Sequence, residues 1–268
     1  RESDEIERSQ RRPVGVYGGS SAEGVVEKGF SFGGKRRNMY LYETHCHTAK
    51  ASACSRLSPE ETVELYLCNG YSGIFVTDHF LNGNTTVDKR LPFAKAVERF
   101  CEGLEEVKRA AGERLQVFFG FEYSYLGTDV LCYGWDKKTL LGFPQILSMS
   151  MREFCDFCRE NGALAVQAHP FREDFYIDHI RLFPNAEGVE TFNAGRTERC
   201  NKLGEFYADA YGKIRTGGSD LHSVRQKVLA GMEFEEKITS ERDFLRLLRE
   251  GKGRIVVKEN KFAQSVIK

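Results

Sequence analysis

The chain has 268 residues, with 39 basic and 39 acidic side chains and a formal net charge of zero. That balance excludes nucleic-acid binding driven by bulk charge, though not a local basic groove. No apolar run is long enough to cross a membrane as a helix, and no apolar signal-peptide core opens the chain, so a cytoplasmic protein is expected.

Residues 1–38 are rich in Gly, Ser and charge, with no sustained hydrophobic period. They are expected to be a disordered N-terminal extension, with Met39 as the natural start. Residues 39–268 are expected to form the folded domain, long enough for one sizeable core.

From Met39 onward, short runs rich in Val, Ile, Phe and Tyr alternate with helical patterns. In chain order the strand candidates are "MYLYETH", "GIFVTDH", "LQVFFGFEYS", "DVLCYGW", "ALAVQAH", "GVETFN", "KIRTGGSD", "AGMEF" and "RIVV". Between the first two lies "SPEETVELYLCNG". It has Ser58 as N-cap, Pro59 at the first helical position, Glu61 completing a capping box and Asn69-Gly70 as stop. "SERDFLRLLREG" repeats the design, with Ser240 as cap and Gly251 as stop. Strands separated by helices favour a parallel sheet. Seven or more such units predict an α/β fold with a closed or nearly closed barrel. An open doubly wound sheet is the alternative.

The eight cysteines are scattered through strand and helix patterns, unlike a small secreted disulfide framework. Cys155 and Cys158 spell C-x-x-C inside "MREFCDFCRENG", where three-residue spacing marks one helix face rather than a redox turn. No P-loop, dinucleotide fingerprint or nucleophile elbow occurs, and "GGS" at Gly217–Ser219 is too short for a phosphate cradle.

Of six histidines, five (His45, His47, His79, His169 and His222) follow strand-like runs. In α/β barrels the C-terminal rim of the strands is where active sites are built. Asp78, Glu122, Asp129 and Asp220 occupy similar places, whereas His179 in "YIDHIRLF" reads as a surface or packing residue. A single histidine at a strand end is usually a hydrogen-bonded structural residue, and a single Asp is usually a helix cap. Five recurrences at one end of successive units argue for a site. Histidine plus carboxylate is the ligand set of hydrolytic Zn, Mn or Fe centres. The ligands exceed one tetrahedral zinc, so two or three divalent metals sharing a bridging carboxylate are expected.

The motifs "HCH", "TDH", "GFE", "AHP" and "SDLH", in that order over about 39–257, resemble the polymerase and histidinol phosphatase (PHP) family. The resemblance implies a distorted seven-stranded TIM-like (βα) barrel with its metal site at the strand C-termini. It implies that residues 39–268 are a PHP-like catalytic domain. It also implies His45 and His47 on the first metal, completed by Asp220, with Glu122 bridging to a second metal that His169 binds. His79 and His222 would bind a third. Glu122, Asp220 and His222 form the implied catalytic set, and a metal-activated water would attack phosphorus.

Two positions depart from the pattern. Family members usually place Asp or His shortly after the first motif. Here the nearest ligand type is Cys54, either a thiolate for the third metal that favours Zn or Fe, or a small loop residue. Many members also carry a His between the bridging Glu and the "HP" histidine, and here Asp129 takes that place.

Arg172 and Arg196 could hold a phosphate through a guanidinium fork, or could pair with surface carboxylates. The loop "LNGNTTVDKRLP" could cover the site, with Lys89 or Arg90 steering an anion. The expected activity is a metal-dependent phosphatase or phosphoesterase on a small phosphorylated molecule, of the histidinol phosphate or nucleotide class. An amidohydrolase, which also opens with two histidines on its first strand, and a metal-binding scaffold with little turnover are the alternatives.

Overall fold

Nine strands form one mixed sheet in the computed structural model, which describes residues 38–266. The expected N-terminal extension, apart from Asn38, lies outside the described residues. The strands are β1 (Tyr40–Cys46), β2 (Gly73–Val76), β3 (Gln116–Tyr125), β4 (Thr128–Tyr133), β5 (Leu164–Gln167), β6 (Gly188–Asn193), β7 (Ile214–Gly218), β8 (Val228–Phe234) and β9 (Arg254–Glu259). Their order in the sheet is β7-β6-β5-β4-β3-β2-β1-β8-β9. Every run proposed as a strand is one.

The expected row of seven parallel βα units is replaced by a nine-stranded mixed sheet. β1–β2–β3 and β5–β6–β7 pair in parallel, but β4 is antiparallel to both β3 and β5. The cause is a two-residue hairpin turn at Leu126-Gly127, with φ of 48° and 80°. Both residues take the left-handed conformation that a type I′ turn demands, leaving no room for a crossover helix. β8 and β9 add an antiparallel hairpin beside β1.

The sheet curls until β7 meets β1, and the closure is nearly complete. Thr44 Oγ1 donates to the Gly217 carbonyl at 2.9 Å, Ser219 N–H donates to Glu43 Oε1 at 2.8 Å, and Cys46 bridges to Leu221 in parallel. Gly218 is needed for this approach, since a Cβ there would lie 2.6 Å from His45 Cβ. That is the structural use of the paired glycines in "GGS".

The helices are α1 (Pro59–Cys68), α2 (Phe93–Phe100), α3 (Glu102–Ala111), α4 (Lys137–Leu141), α5 (Met151–Glu160), α6 (Glu198–Tyr211), α7 (Glu241–Arg249) and α8 (Lys261–Val266). The capping box of α1 forms as read, with Ser58 Oγ accepting from Glu61 N–H and Glu61 accepting from Ser58 N–H. Ser240 caps α7, and Gly251 takes φ 65° just beyond its end. Two main apolar layers result. The larger includes Val63 and Tyr66 of α1, Val97 of α2, Val107 of α3 and Phe154 of α5, together with Val76 and Phe121 of the sheet. The smaller is an aromatic layer of Tyr42, Phe75, Phe118, Tyr133 and Phe234, which receives Phe244 of α7 with its ring 4.2 Å from that of Phe75. Cys155 and Cys158 are buried on α5, Cys158 Sγ lies 3.8 Å from Cys132 Sγ, and all eight cysteines are free thiols. Among the described residues no helix is long and apolar enough to cross a membrane.

Candidate metal centre

Alternation along β3 places Glu122 on the face that carries Phe118, four residues above the aromatic layer. β1 reaches the same space by a bulge. Its register against β2 slips between Glu43 and Cys46, so Tyr42 enters the aromatic layer while His45 and His47 meet Glu122. Cys46 lies between them in the larger apolar layer, as alternation requires.

The other residues arrive from different strands. His79 follows β2 and forms a bridge with Glu122, His169 follows β5, and Asp220 and His222 follow β7. Asp129 was placed with the strand ends but lies near the start of β4. Because β4 runs antiparallel, its start reaches the rim that its neighbours reach with their ends. Likewise Glu122 sits within β3 rather than at its end.

Glu122 is fully buried and surrounded by imidazoles. His45 Nε2 lies 3.4 Å away, His47 Nε2 3.5 Å, His79 Nδ1 2.8 Å and His169 Nε2 3.3 Å. Both Glu122 oxygens nevertheless lack a partner in hydrogen-bond geometry. Asp220 Oδ1 is 3.5 Å from His45 Nε2 and 3.2 Å from His47 Nε2. Four overlapping groups have ligand atoms within 4.8 Å of one another: His45/His47/Asp220, His45/Glu122/His169, His79/Glu122/Asp129 and His47/His79/His222. Four groups with His45, His47, His79 and Glu122 as shared members fit several adjacent cations better than one. A buried carboxylate without hydrogen bonds amid ring nitrogens suits a bridging ligand.

Cys54 lies at the edge of the His47/His79/His222 group, its Sγ 3.1 Å from His222 Nε2. Among the described residues only Leu126, His169 and Asp220 are non-glycine residues with positive φ. Two of the three belong to the centre, where such strain tends to collect.

The charges follow from crowding in a buried space. Burial works against ionised Glu122, yet His79 and His45 hold its carboxyl well below the usual range. Burial opposes ionisation of Asp220 too, and His45, with His47, outweighs it and lowers its pKa. His79 rises to about 11 because Glu122, Cys54 and Asp129 together outweigh its burial, whereas burial drives His47 down to about 3. Burial raises the Asp129 pKa, with Glu122 adding to it. Cys54 falls to about 7 because His222 and His79 outweigh burial.

Both arginines reach carboxylates of the centre rather than surface partners. Arg172 Nη1 donates to Asp129 Oδ2 at 3.2 Å, and Arg196 Nη2 donates to Asp220 Oδ2 at 3.0 Å. Each keeps a buried Nε without a partner. The 81–92 loop is tied to the segment after the first motif, through Ala53 N–H to the Asn84 carbonyl and Thr86 N–H to the Ala51 carbonyl. Arg90 is spent on Asp88 at 2.7 Å. His179 pairs with Asp178 at the surface, as read.

Asp78 belongs to none of the ligand groups. It braces the loop instead, accepting from Thr48 N–H, Thr48 Oγ1 and Ser52 Oγ, while Ser52 Oγ contacts His47 Nδ1 at 3.1 Å. Two buried carboxylates escaped the sequence reading. Glu43 Oε1 accepts from the backbone of Thr44, His45 and Ser219, and Glu190 Oε1 lies 2.9 Å from His45 Nδ1. The available signal was a glutamate inside an apolar strand run, in "MYLYETH" and in "GVETFN".

A family model described as PHP-associated matches residues 198–252, which carry Asp220 and His222. The fold is similar to a two-domain protein from Bacteroides vulgatus containing a predicted PHP-like metal-dependent phosphoesterase. The TM-score is 0.58 at 12% identity, over 84% of this chain and 69% of that one. Over residues 198–252 the chain resembles the PHP family. The fold also resembles PsfC from Pseudomonas syringae, with a TM-score of 0.55 at 14% identity over 86% of this chain and 96% of that one. A further likeness is to an amidohydrolase from Chromobacterium violaceum with bound sulfate and no metal. There the TM-score is 0.49 at 15% identity, over 80% and 97% of the two chains. No curated protein matches the sequence.

Proposed function

We propose that this chain is a PHP-family metal-dependent phosphoesterase that hydrolyses a small phosphorylated substrate. The observation that carries this reading is Glu122, a buried carboxylate facing four imidazole nitrogens with no hydrogen bond of its own. Its neighbours divide by geometry. His45, His47 and Asp220 would hold one divalent ion, and Glu122 and His169 a second. His79 and His222, with Cys54 at 3.1 Å from His222, would hold a third. Zn, Mn and Fe suit this donor set, and the Cys54 thiolate favours Zn or Fe.

When bound, such ions supply Lewis acidity toward phosphoryl oxygens and acidify water to ionise near neutral pH. The chain's own groups do the rest. Arg172 and Arg196 would bind non-bridging phosphate oxygens, their guanidinium planes already oriented by Asp129 and Asp220. His222, whose Nδ1 lies 2.7 Å from the Asp220 carbonyl and would thereby leave Nε2 for a metal, is the most exposed ring of the set. Burial of His45, His47 and Glu122 keeps bulk water from their ligand atoms.

Metal analysis of purified protein, followed by phosphatase assays with Mn, Zn, Fe and Mg, tests the reading. Two or three metals per chain and hydrolysis of a phosphomonoester are expected. Protein that retains metal yet cleaves only amides would overturn it in favour of an amidohydrolase.

A further inference from the structure

β6 supplies none of the expected metal ligands, yet Glu190 at its centre touches the centre in three directions. Its carboxylate is 1% exposed. Oε1 lies 2.9 Å from His45 Nδ1. Oε2 accepts the His169 backbone N–H at 3.0 Å and Asn193 Nδ2 at 2.8 Å. Asn193 Nδ2 in turn lies 3.3 Å from Asp220 Oδ2.

We infer that Glu190 is the positioning residue of the centre: it holds His45 as the Nδ1–H tautomer, leaving Nε2 for a metal, and ties that ring to His169 and Asp220. This rests on the metal reading proposed above.

Three donors converge on one carboxylate, and only an acceptor on both oxygens satisfies them. His45 belongs to two of the four ligand groups, so its tautomer governs both. The His169 N–H held by Oε2 belongs to a residue at φ 27°, a conformation that persists only where neighbours restrain it. A glutamine has the same shape but one acceptor too few. With its Nε2 toward His45, two donors face each other unless the ring moves its proton to Nε2, which then cannot ligate. With its Nε2 toward His169 and Asn193, the same conflict falls there. A carboxylate behind a ligating imidazole also raises the ring's basicity, and losing such a partner typically costs 10–100-fold in metal affinity.

The test is calorimetric titration of Zn²⁺ into metal-stripped full chain, wild type and Glu190→Gln, with nitrogen NMR shifts of the His45 ring. The variant is expected to bind its tightest Zn²⁺ about 10–100-fold more weakly, and its His45 signals to move toward the Nε2–H form. In a His45→Ala background the same substitution is expected to change affinity by less than about 3-fold, because its largest contact is gone. That double variant separates positioning from general damage to the fold. Equal affinity and unchanged ring shifts in Glu190→Gln overturn the inference, as does an undiminished loss in the His45→Ala background. Because the readout is metal affinity, a wild type that binds Zn²⁺ but hydrolyses no phosphate ester overturns only the reaction proposed above.

Discussion

Arg196 Nη2 and Asp220 Oδ2 lie 3.0 Å apart, while the other oxygen of that carboxylate faces His47 Nε2 at 3.2 Å. One aspartate thus joins a candidate phosphate-binding guanidinium to a candidate metal ligand. Arg196→Ala should lower kcat/KM by about 100-fold with metal content retained, and Arg196→Lys should recover only part, because an ammonium cannot reproduce the fork. Steady-state kinetics beside metal analysis checks this. Unchanged kinetics would reduce Arg196 to a partner of Asp220.

His45 and Asp220 share a ligand group and are buried. His45→Ala and Asp220→Ala should each cut turnover by at least about 1000-fold while circular dichroism stays native, since the ions they hold would supply most of the charge stabilisation. Wild-type rates in both variants would reject the site.

Cys54 Sγ sits 3.1 Å from His222 Nε2. Cys54→Ser should remove close to one metal equivalent per chain and shift the remaining preference from Zn or Fe toward Mn, because a hydroxyl is a harder ligand than a thiolate. Elemental analysis after equilibration with each metal decides. Full stoichiometry in the variant would leave Cys54 a loop residue.

Burial pushes Glu43 up to about 7 from its ordinary 4.5. A raised carboxyl pKa means that the folded state keeps its proton longer than the unfolded chain. The stability this provides is complete below about pH 4.5 and is lost as pH rises through about 7. Glu43→Gln should therefore flatten the decline, gaining about 1–3 kcal/mol on wild type between pH 5 and pH 8 in metal-stripped protein. Urea unfolding at the two pH values measures it, and parallel curves for the two proteins would contradict the assignment.

A methyl group at Gly218 would lie 2.6 Å from His45 Cβ and 3.0 Å from Glu190 Oε1. Gly218→Ala should cost about 1–3 kcal/mol of stability, as overpacking does, and should weaken metal binding by displacing the His45 ring. Thermal melting and metal titration would show both, and a variant with native melting and affinity would mean that β7 can retreat freely.

Much of the fold was legible because the signals are local. Short runs rich in Val, Ile, Phe and Tyr marked all nine strands, and Ser58-x-x-Glu61 marked the start of α1. The two histidines of "HCH" share a face, and His79, His169, Asp220 and His222 follow strands, a pattern visible in residue type and spacing. The tight turn at Leu126-Gly127 was not legible, since leucine is no usual type I′ residue, and with it went the direction of β4 and the reason that Asp129 reaches the rim.

The sequence by itself determined which segments become strands and helices and which residue types gather at the rim, because backbone propensity, capping and alternation act over a few positions. Only the tertiary structure decided that β1 bulges to bring His45 to Glu122 and that Gly218 lets β7 close on β1. It alone placed Glu43 and Glu190 beneath the histidines. Those contacts join residues up to 176 positions apart, and a buried carboxylate gains its partners only when the closed sheet has excluded water and brought distant donors to it.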